Sequence, residues 1–214
     1  MAAAPNLLSF TLADLAQFKD TGAYPATQSE NHALFYVGRD DVHGVLTYLF
    51  SRVTQSVDMN MFGYDDDALN ALLMGLAENP KVSVQVTLDK SQSGGVHEKT
   101  ILASDAVKDP AAYNSSFAIG QSATHQITHT KGGVLDNVVG WEGSTNWSNS
   151  GEGTFITGQT KAGGPKYQAQ NNTLLVFTDL GTINSFREEL RSEHRIVLAQ
   201  GGAISTATTA TPSK

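Results

Sequence analysis

Residues 129–146 read HTKGGVLDNVVGWEGSTN, and this stretch decides how the rest of the chain is read. On a strand, side chains at i and i+2 share a face, so His129 and Lys131 point the same way and set an imidazole beside a fixed positive charge. That pair suits an anion. Asp136-Asn137 takes the tight turn of a hairpin between the apolar pairs Val134-Leu135 and Val138-Val139. The chain then returns alongside itself, and Ser144 and Asn146, again two apart, carry a hydroxyl and an amide toward His129 and Lys131. Gly143 leaves room for backbone N–H groups to approach a ligand. Imidazole, ammonium, hydroxyl and amide converging on one point fit a tetrahedral, oxygen-rich anion, of which a phosphate ester is the simplest.

The composition sets outer bounds. A chain of 214 residues suffices for one sizeable domain with its own core. No run approaches the apolar length of a membrane span, and residues 1–5 show neither the charged nor the long apolar region of a signal peptide. The expectation is a protein without a membrane span, cytoplasmic or exported without a cleaved signal. The absence of cysteine excludes disulfides and thiolate metal sites. A net charge of −7 is unusual for a nucleic-acid binder. Residues 1–79 hold three basic against ten acidic side chains, however, so the remainder is balanced and the acidic third can face away from the site.

The opening stretch resembles the phospholipase D superfamily, whose pattern runs H-x-K, four residues, D, six residues, then G-S-x-N. His129, Lys131, Asp136, Gly143, Ser144 and Asn146 occupy every specified position. The resemblance implies an α/β fold, a mixed β-sheet flanked by helices on both faces, with His129, Lys131 and Asp136 as catalytic residues and no metal or cofactor. Gly143, Ser144 and Asn146 would hold the substrate. Trp147 would either stack on a base or lipid or pack in the core. Relatives commonly carry a glutamate that supports the catalytic histidine just before a late strand. Asn172 stands there in this chain, able to accept a hydrogen bond from the imidazole but supplying no charge. Gly132-Gly133 replace the bulky apolar residues usual in relatives, and glycine inside a strand can mark a bulge.

With one motif, a single histidine cannot serve as both nucleophile and acid. Small single-motif relatives resemble homodimers whose motifs meet on a twofold axis. By that resemblance, His129 of one subunit forms a phosphohistidine and His129 of the other protonates the leaving oxygen. The size and motif count resemble the small bacterial nucleases, which implies nucleic acid as substrate, with DNA favoured. A phospholipase D-type lipid phosphodiesterase and a non-catalytic phosphate-binding module are the alternatives.

Outward from the motif, Val42, Val45, Leu46, Leu49, Phe50 and Val53 recur at helical spacing behind Asp40 or Asp41 as cap. Residues 57–62 and 82–88 read as strands around a second helix. Asp65, Asp66 and Asp67 start that helix, as caps rather than ligands of a divalent cation. Strand, helix, strand predicts a parallel crossover. His97-Glu98-Lys99 begins like a second motif but lacks both the acid at the right spacing and any Gly-Ser-x-Asn, so residues 97–107 read as a helix. A short helix over residues 7–18, a strand near 117–120, a long loop over 149–170, a strand over 173–177 and a last helix capped by Asp179 complete the reading. His125 reads as a site-lining or structural residue. The predicted organisation is an N-terminal extension (1–35), a catalytic domain (36–201) and a disordered tail (202–214).

Overall fold

Period-two apolar stretches, separated by capped helices, produce the element order of the computed structural model, which describes residues 6–20, 29–92, 94–124, 126–154 and 168–202. The strands are β1 (His32–Tyr36), β2 (Ser56–Met61), β3 (Ser83–Asp89), β4 (Ser115–Gly120), β5 (Lys131–Leu135), β6 (Val139–Gly143) and β7 (Thr173–Phe177). The helices are α1 (Val42–Phe50), α2 (Asp67–Ala77), α3 (Val96–Ala103), α4 (Asp105–Lys108), α5 (Asn149–Glu152) and α6 (Leu180–Val197). They build a seven-stranded sheet in the order β1-β7-β6-β5-β2-β3-β4. β2, β3 and β4 run parallel, as the crossover through α2 requires, and every other neighbouring pair is antiparallel. The start of β5, the ends of β2 and β6 and the start of β7 therefore share one edge of the sheet.

Helices cover both faces, as expected. Adjacent strand residues face opposite ways, and a Cβ on Gly132 would meet Phe186 of α6, whereas one on Gly133 would meet Met59. The face of Met59 carries the main core, with Phe35, Leu46, Phe50, Leu69 and Trp141 essentially inaccessible to solvent. Three aspartates cap helices. Asp41 accepts from Gly44 N at 2.9 Å, Asp66 from Leu69 N at 2.7 Å and Asp179 from Thr182 N at 2.8 Å.

Three boundaries differ from the sequence reading. The first 35 residues do not stand apart: β1 starts at His32, and Leu7, Leu12 and Leu15, on two 3-10 helices, belong to the main core. The predicted 97–107 helix breaks because the hydroxyl of Ser104 accepts from Ala106 N and restarts the chain as α4. In the predicted 149–170 loop, Asn149–Glu152 form α5, and 155–167 lie outside the described residues, as do His125 and tail residues 203–214.

The α6 face is anchored by a buried carboxylate. Asp58, 2% exposed, accepts from Arg187 Nε and Arg191 Nε, each at 2.8 Å. Asp58→Ala strands two guanidinium groups that are only partly able to rehydrate, and a loss of about 2–3 kcal/mol in chemical denaturation is expected, below the range for fully buried pairs.

Nearby, His194 is buried between Thr87 Oγ1 (3.0 Å from Nδ1) and Ser116 Oγ (2.9 Å from Nε2). Burial depresses its pKa, with Asp58 opposing and Arg195 adding to the effect. The unfolded chain then takes up a proton that the folded chain resists. The contribution of His194 to stability is present at neutral pH and lost as pH falls below about 6.5, the ordinary histidine value. The urea midpoint of His194→Gln should accordingly fall less between about pH 7 and pH 5 than that of the parent.

Candidate active site

The hairpin forms where Asp136-Asn137 requires it. Both residues adopt left-handed backbone, φ 52° and 55°, and Val138 N donates to Leu135 O at 3.0 Å. The glycine pair introduces no bulge. Gly132 and Gly133 pair in regular register with Asn60 and Met59 on one side and Glu142 and Trp141 on the other. A Cβ on Gly132 would lie 2.7 Å from the Trp141 carbonyl, and one on Gly133 would lie 2.9 Å from that of Asp58. Close packing of β5 between its neighbours therefore explains these glycines.

His129 lies two residues ahead of β5, exposed, and so does not share a regular strand face with Lys131. Lys131 is buried, and its Nζ donates to the His129 carbonyl at 2.7 Å. Phe62, at the end of β2, links the two: its ring centroid is 4.7 Å from that of His129 and 5.0 Å from Lys131 Nζ. Phe62 carried no signal in the sequence, because only the pairing of β2 with β5 places it there. Burial lowers the pKa of Lys131 while Glu142 raises it, and burial raises that of Glu142 while Lys131 lowers it. This charge–charge influence follows from the hairpin register, which sets Glu142 opposite Gly132, one residue from Lys131.

Asp136 is not part of this constellation. It sits at the opposite end of β5, where it accepts from Thr54 N (2.9 Å), Thr54 Oγ1 (3.0 Å), Gln55 N (2.8 Å) and Ser56 N (2.9 Å). The length of a five-residue strand, about 16 Å, separates the two ends. Its role is to tie the hairpin turn to the loop entering β2.

Gly143, Ser144 and Asn146 lie at the same edge of the sheet as Lys131. A Cβ on Gly143 would lie 2.1 Å from the Thr173 carbonyl, so pairing with β7 demands this glycine, rather than a ligand. Ser144 is exposed, and its Oγ accepts from Thr173 N at 3.0 Å, leaving its own proton to donate. Asn146 Oδ1 accepts from Gly63 N at 3.2 Å, which fixes the amide beside Phe62.

Two residues play other parts. Trp147 is fully buried, stacked on Tyr64 (5.3 Å between centroids) and Trp141 (6.1 Å), so it packs in the core and offers no face to a substrate. Asn172 is buried and donates from Nδ2 to Gly151 O (3.0 Å) and Gln170 Oε1 (3.1 Å). Those bonds hold α5, and no bond joins Asn172 to His129 among the described residues.

Two clefts open at this edge. One, of about 370 Å³, is lined by His129, Thr130, Asn60, Glu142, Glu189 and Glu193. The other, of about 590 Å³, is lined by Phe62, Gly63, Asn146, Ser148 and Glu98. Phe62 borders the second and touches the histidine of the first. His97 lines neither cleft and is held by Asp65 (3.2 Å), on the wall of the second, and by Asp67 (2.7 Å).

The fold is similar to that of solved phospholipase D family structures. NucT from Helicobacter pylori superposes with TM-score 0.56 and 17% identity, covering 77% of this chain and 95% of its own. A phospholipase D family member, Nuc from Salmonella typhimurium, gives TM-score 0.54 and 14% identity over 77% and 95% of the two chains. The phosphatidylserine synthase of Haemophilus influenzae gives 0.55 and 12%, covering 77% of this chain and 38% of that longer one. No protein-family model and no curated protein matches the chain.

Proposed function

We propose that the chain is a metal-independent phosphodiesterase, most simply a nuclease acting on DNA or RNA, working as a homodimer through His129. The observation that carries this reading is the complete motif on one hairpin, with His129 exposed at the sheet edge over a buried, carbonyl-anchored lysine. His129 of one subunit attacks phosphorus, the P–O bond to the leaving oxygen breaks, and His129 of the second subunit gives that oxygen its proton. Water then attacks the phosphohistidine, the P–N bond breaks to release the first His129, and the second histidine takes the proton of the water. Lys131, Ser144 and Asn146 stabilise the charge gathering on the phosphoryl oxygens.

One observation favours the lipid reading. Glu142, Glu189 and Glu193 line the His129 cleft, and three carboxylates repel a polyanion but suit a diester carrying an amine.

The test is cleavage of plasmid and single-stranded DNA in excess chelator, with a head-group release assay on phosphatidylcholine vesicles in parallel. A melting curve in the same buffer confirms that the chain is folded. DNA cleavage that persists in chelator and vanishes in His129→Ala supports the nuclease, and head-group release without DNA cleavage supports the lipase. Neither activity, with phosphate binding retained in His129→Ala, supports a binding module. A strictly monomeric mass at micromolar concentration overturns the two-subunit mechanism.

A further inference from the structure

On the α1 and α2 side of the sheet, beneath the segment that follows Asn146, three side chains from three elements meet. His43 comes from the first turn of α1, Asp66 from the cap of α2 and Glu152 from α5. One ligand atom from each lies within 4.8 Å of the others. His43 Nδ1 is 2.6 Å from Glu152 Oε2 and 3.6 Å from Asp66 Oδ2. Asp66 uses its other oxygen, Oδ1, to cap Leu69, so Oδ2 is turned to the cluster.

The second observation is on Glu152 itself. It has no solvent exposure, and Oε1 of the carboxyl that faces His43 is buried without a hydrogen-bond partner. A buried carboxylate oxygen left unsatisfied is costly. Hydrogen bonding within the cluster accounts for Oε2 and leaves Oε1 unexplained.

We infer that His43, Asp66 and Glu152 form a binding site for a divalent transition-metal ion, of which Zn2+ is the best match. One imidazole and two carboxylates are a ligand set that zinc accepts, with water in the fourth position. Bonds of about 2.0–2.2 Å in a tetrahedron place ligand atoms roughly 3.3 Å apart. The 3.6 Å separation meets that spacing, and the 2.6 Å one reaches it by opening less than an ångström. The ion takes Oε1 of Glu152, alone or together with Oε2, and displaces the proton that the pair otherwise shares. His43 keeps 26% of its side chain exposed, which supplies the route in.

The consequence lies in what the ligands hold. Asp65 N donates to Trp147 O, Trp147 N to Gly63 O and Gly63 N to Asn146 Oδ1, so the α2 cap and the Asn146 segment already form one bonded unit. A metal bridging α1, α2 and α5 ties that unit to the first helix. The ion is structural and takes no part in the chemistry proposed for His129, and the inference does not rest on that chemistry.

The metal-stripped full chain is titrated with ZnCl2 by calorimetry, alongside Glu152→Gln, His43→Asn and His97→Asn. The last removes the other histidine–carboxylate group, where Asp65 and Asp67 are exposed. One equivalent should bind to the parent and to His97→Asn, with affinity at least about tenfold weaker in the other two variants, and zinc should raise the melting temperature of the parent. Equal binding by all four proteins, loss confined to His97→Asn, or no saturable binding up to about 100 µM overturns the site. Should Glu152→Gln fail to fold, Co2+ in the His97→Asn background decides. Intense visible bands of four-coordinate cobalt support the site, and the weak bands of a six-coordinate aqua ion overturn it.

Discussion

On the mechanism proposed above, His129→Ala should lower the turnover of a cleaved phosphodiester by at least about 10³-fold, because the substitution would remove both the attacking nitrogen and, in the second subunit, the proton donor. The protein itself should hardly notice. The imidazole is exposed, and Lys131 is anchored on the His129 backbone carbonyl, which alanine retains. The measurement is single-turnover cleavage of a ³²P-labelled substrate, quenched in denaturant, beside a melting curve. The parent should trap label on protein in an acid-labile, alkali-stable linkage, as phosphoramidates behave, and the variant should trap none. A variant that still cleaves at the parental rate would remove His129 from the chemistry, and label on the variant would place the nucleophile elsewhere.

Asp136→Ala should do the reverse. Four donors, three of them backbone N–H groups at the entry to β2, lose their acceptor, and alanine must adopt φ near 52°. Each unsatisfied donor costs about 1 kcal/mol where water can partly replace the carboxylate, and the left-handed backbone adds roughly another. A total near 5 kcal/mol corresponds to a fall in melting temperature of about 10–20 °C for a chain of this size. Turnover per folded molecule should stay within about twofold of the parent, since Asp136 is a strand's length from Lys131. A large drop in turnover at full stability would instead return Asp136 to the catalytic residues. Asp136→Asn, which keeps one acceptor oxygen and tolerates the positive φ, should fall between.

The two variants separate what one motif combines. Its spacing sets the positions of His129 and Lys131, where the chemistry is proposed, and, equally, the turn that keeps β5 and β6 in register. A one-residue slip of β5 would carry Lys131 to the face of α6 and Gly132 to the core. Asp136, by binding the β2 entry, guards against that slip.

Much of the fold was legible because its signals are local. Helical spacing located α1 and α2, Asp66 and Asp179 announced their helices, and valine alternation marked β3. The misread parts depended on neighbours. β1 was absorbed into an extension because its five residues find meaning only against β7. The 97–107 helix broke on a single serine hydroxyl that had competing partners. Gly132-Gly133 looked like a weakness because sequence does not show that Phe186 and Met59 take up the space of the missing side chains.

At the site the division is the same. Sequence by itself determined which groups are present, the hairpin that carries them and the identity of the exposed histidine, because a strand–turn–strand with fixed spacing is a local object. Tertiary structure alone decided what each group touches. It placed Phe62 against His129, sent Trp147 into the core, spent Asn172 on α5 and gathered His43, Asp66 and Glu152 from a span of more than a hundred residues. The physical reason is that burial and hydrogen-bond satisfaction are settled between elements, across strand pairings and helix packings that the order of residues does not display.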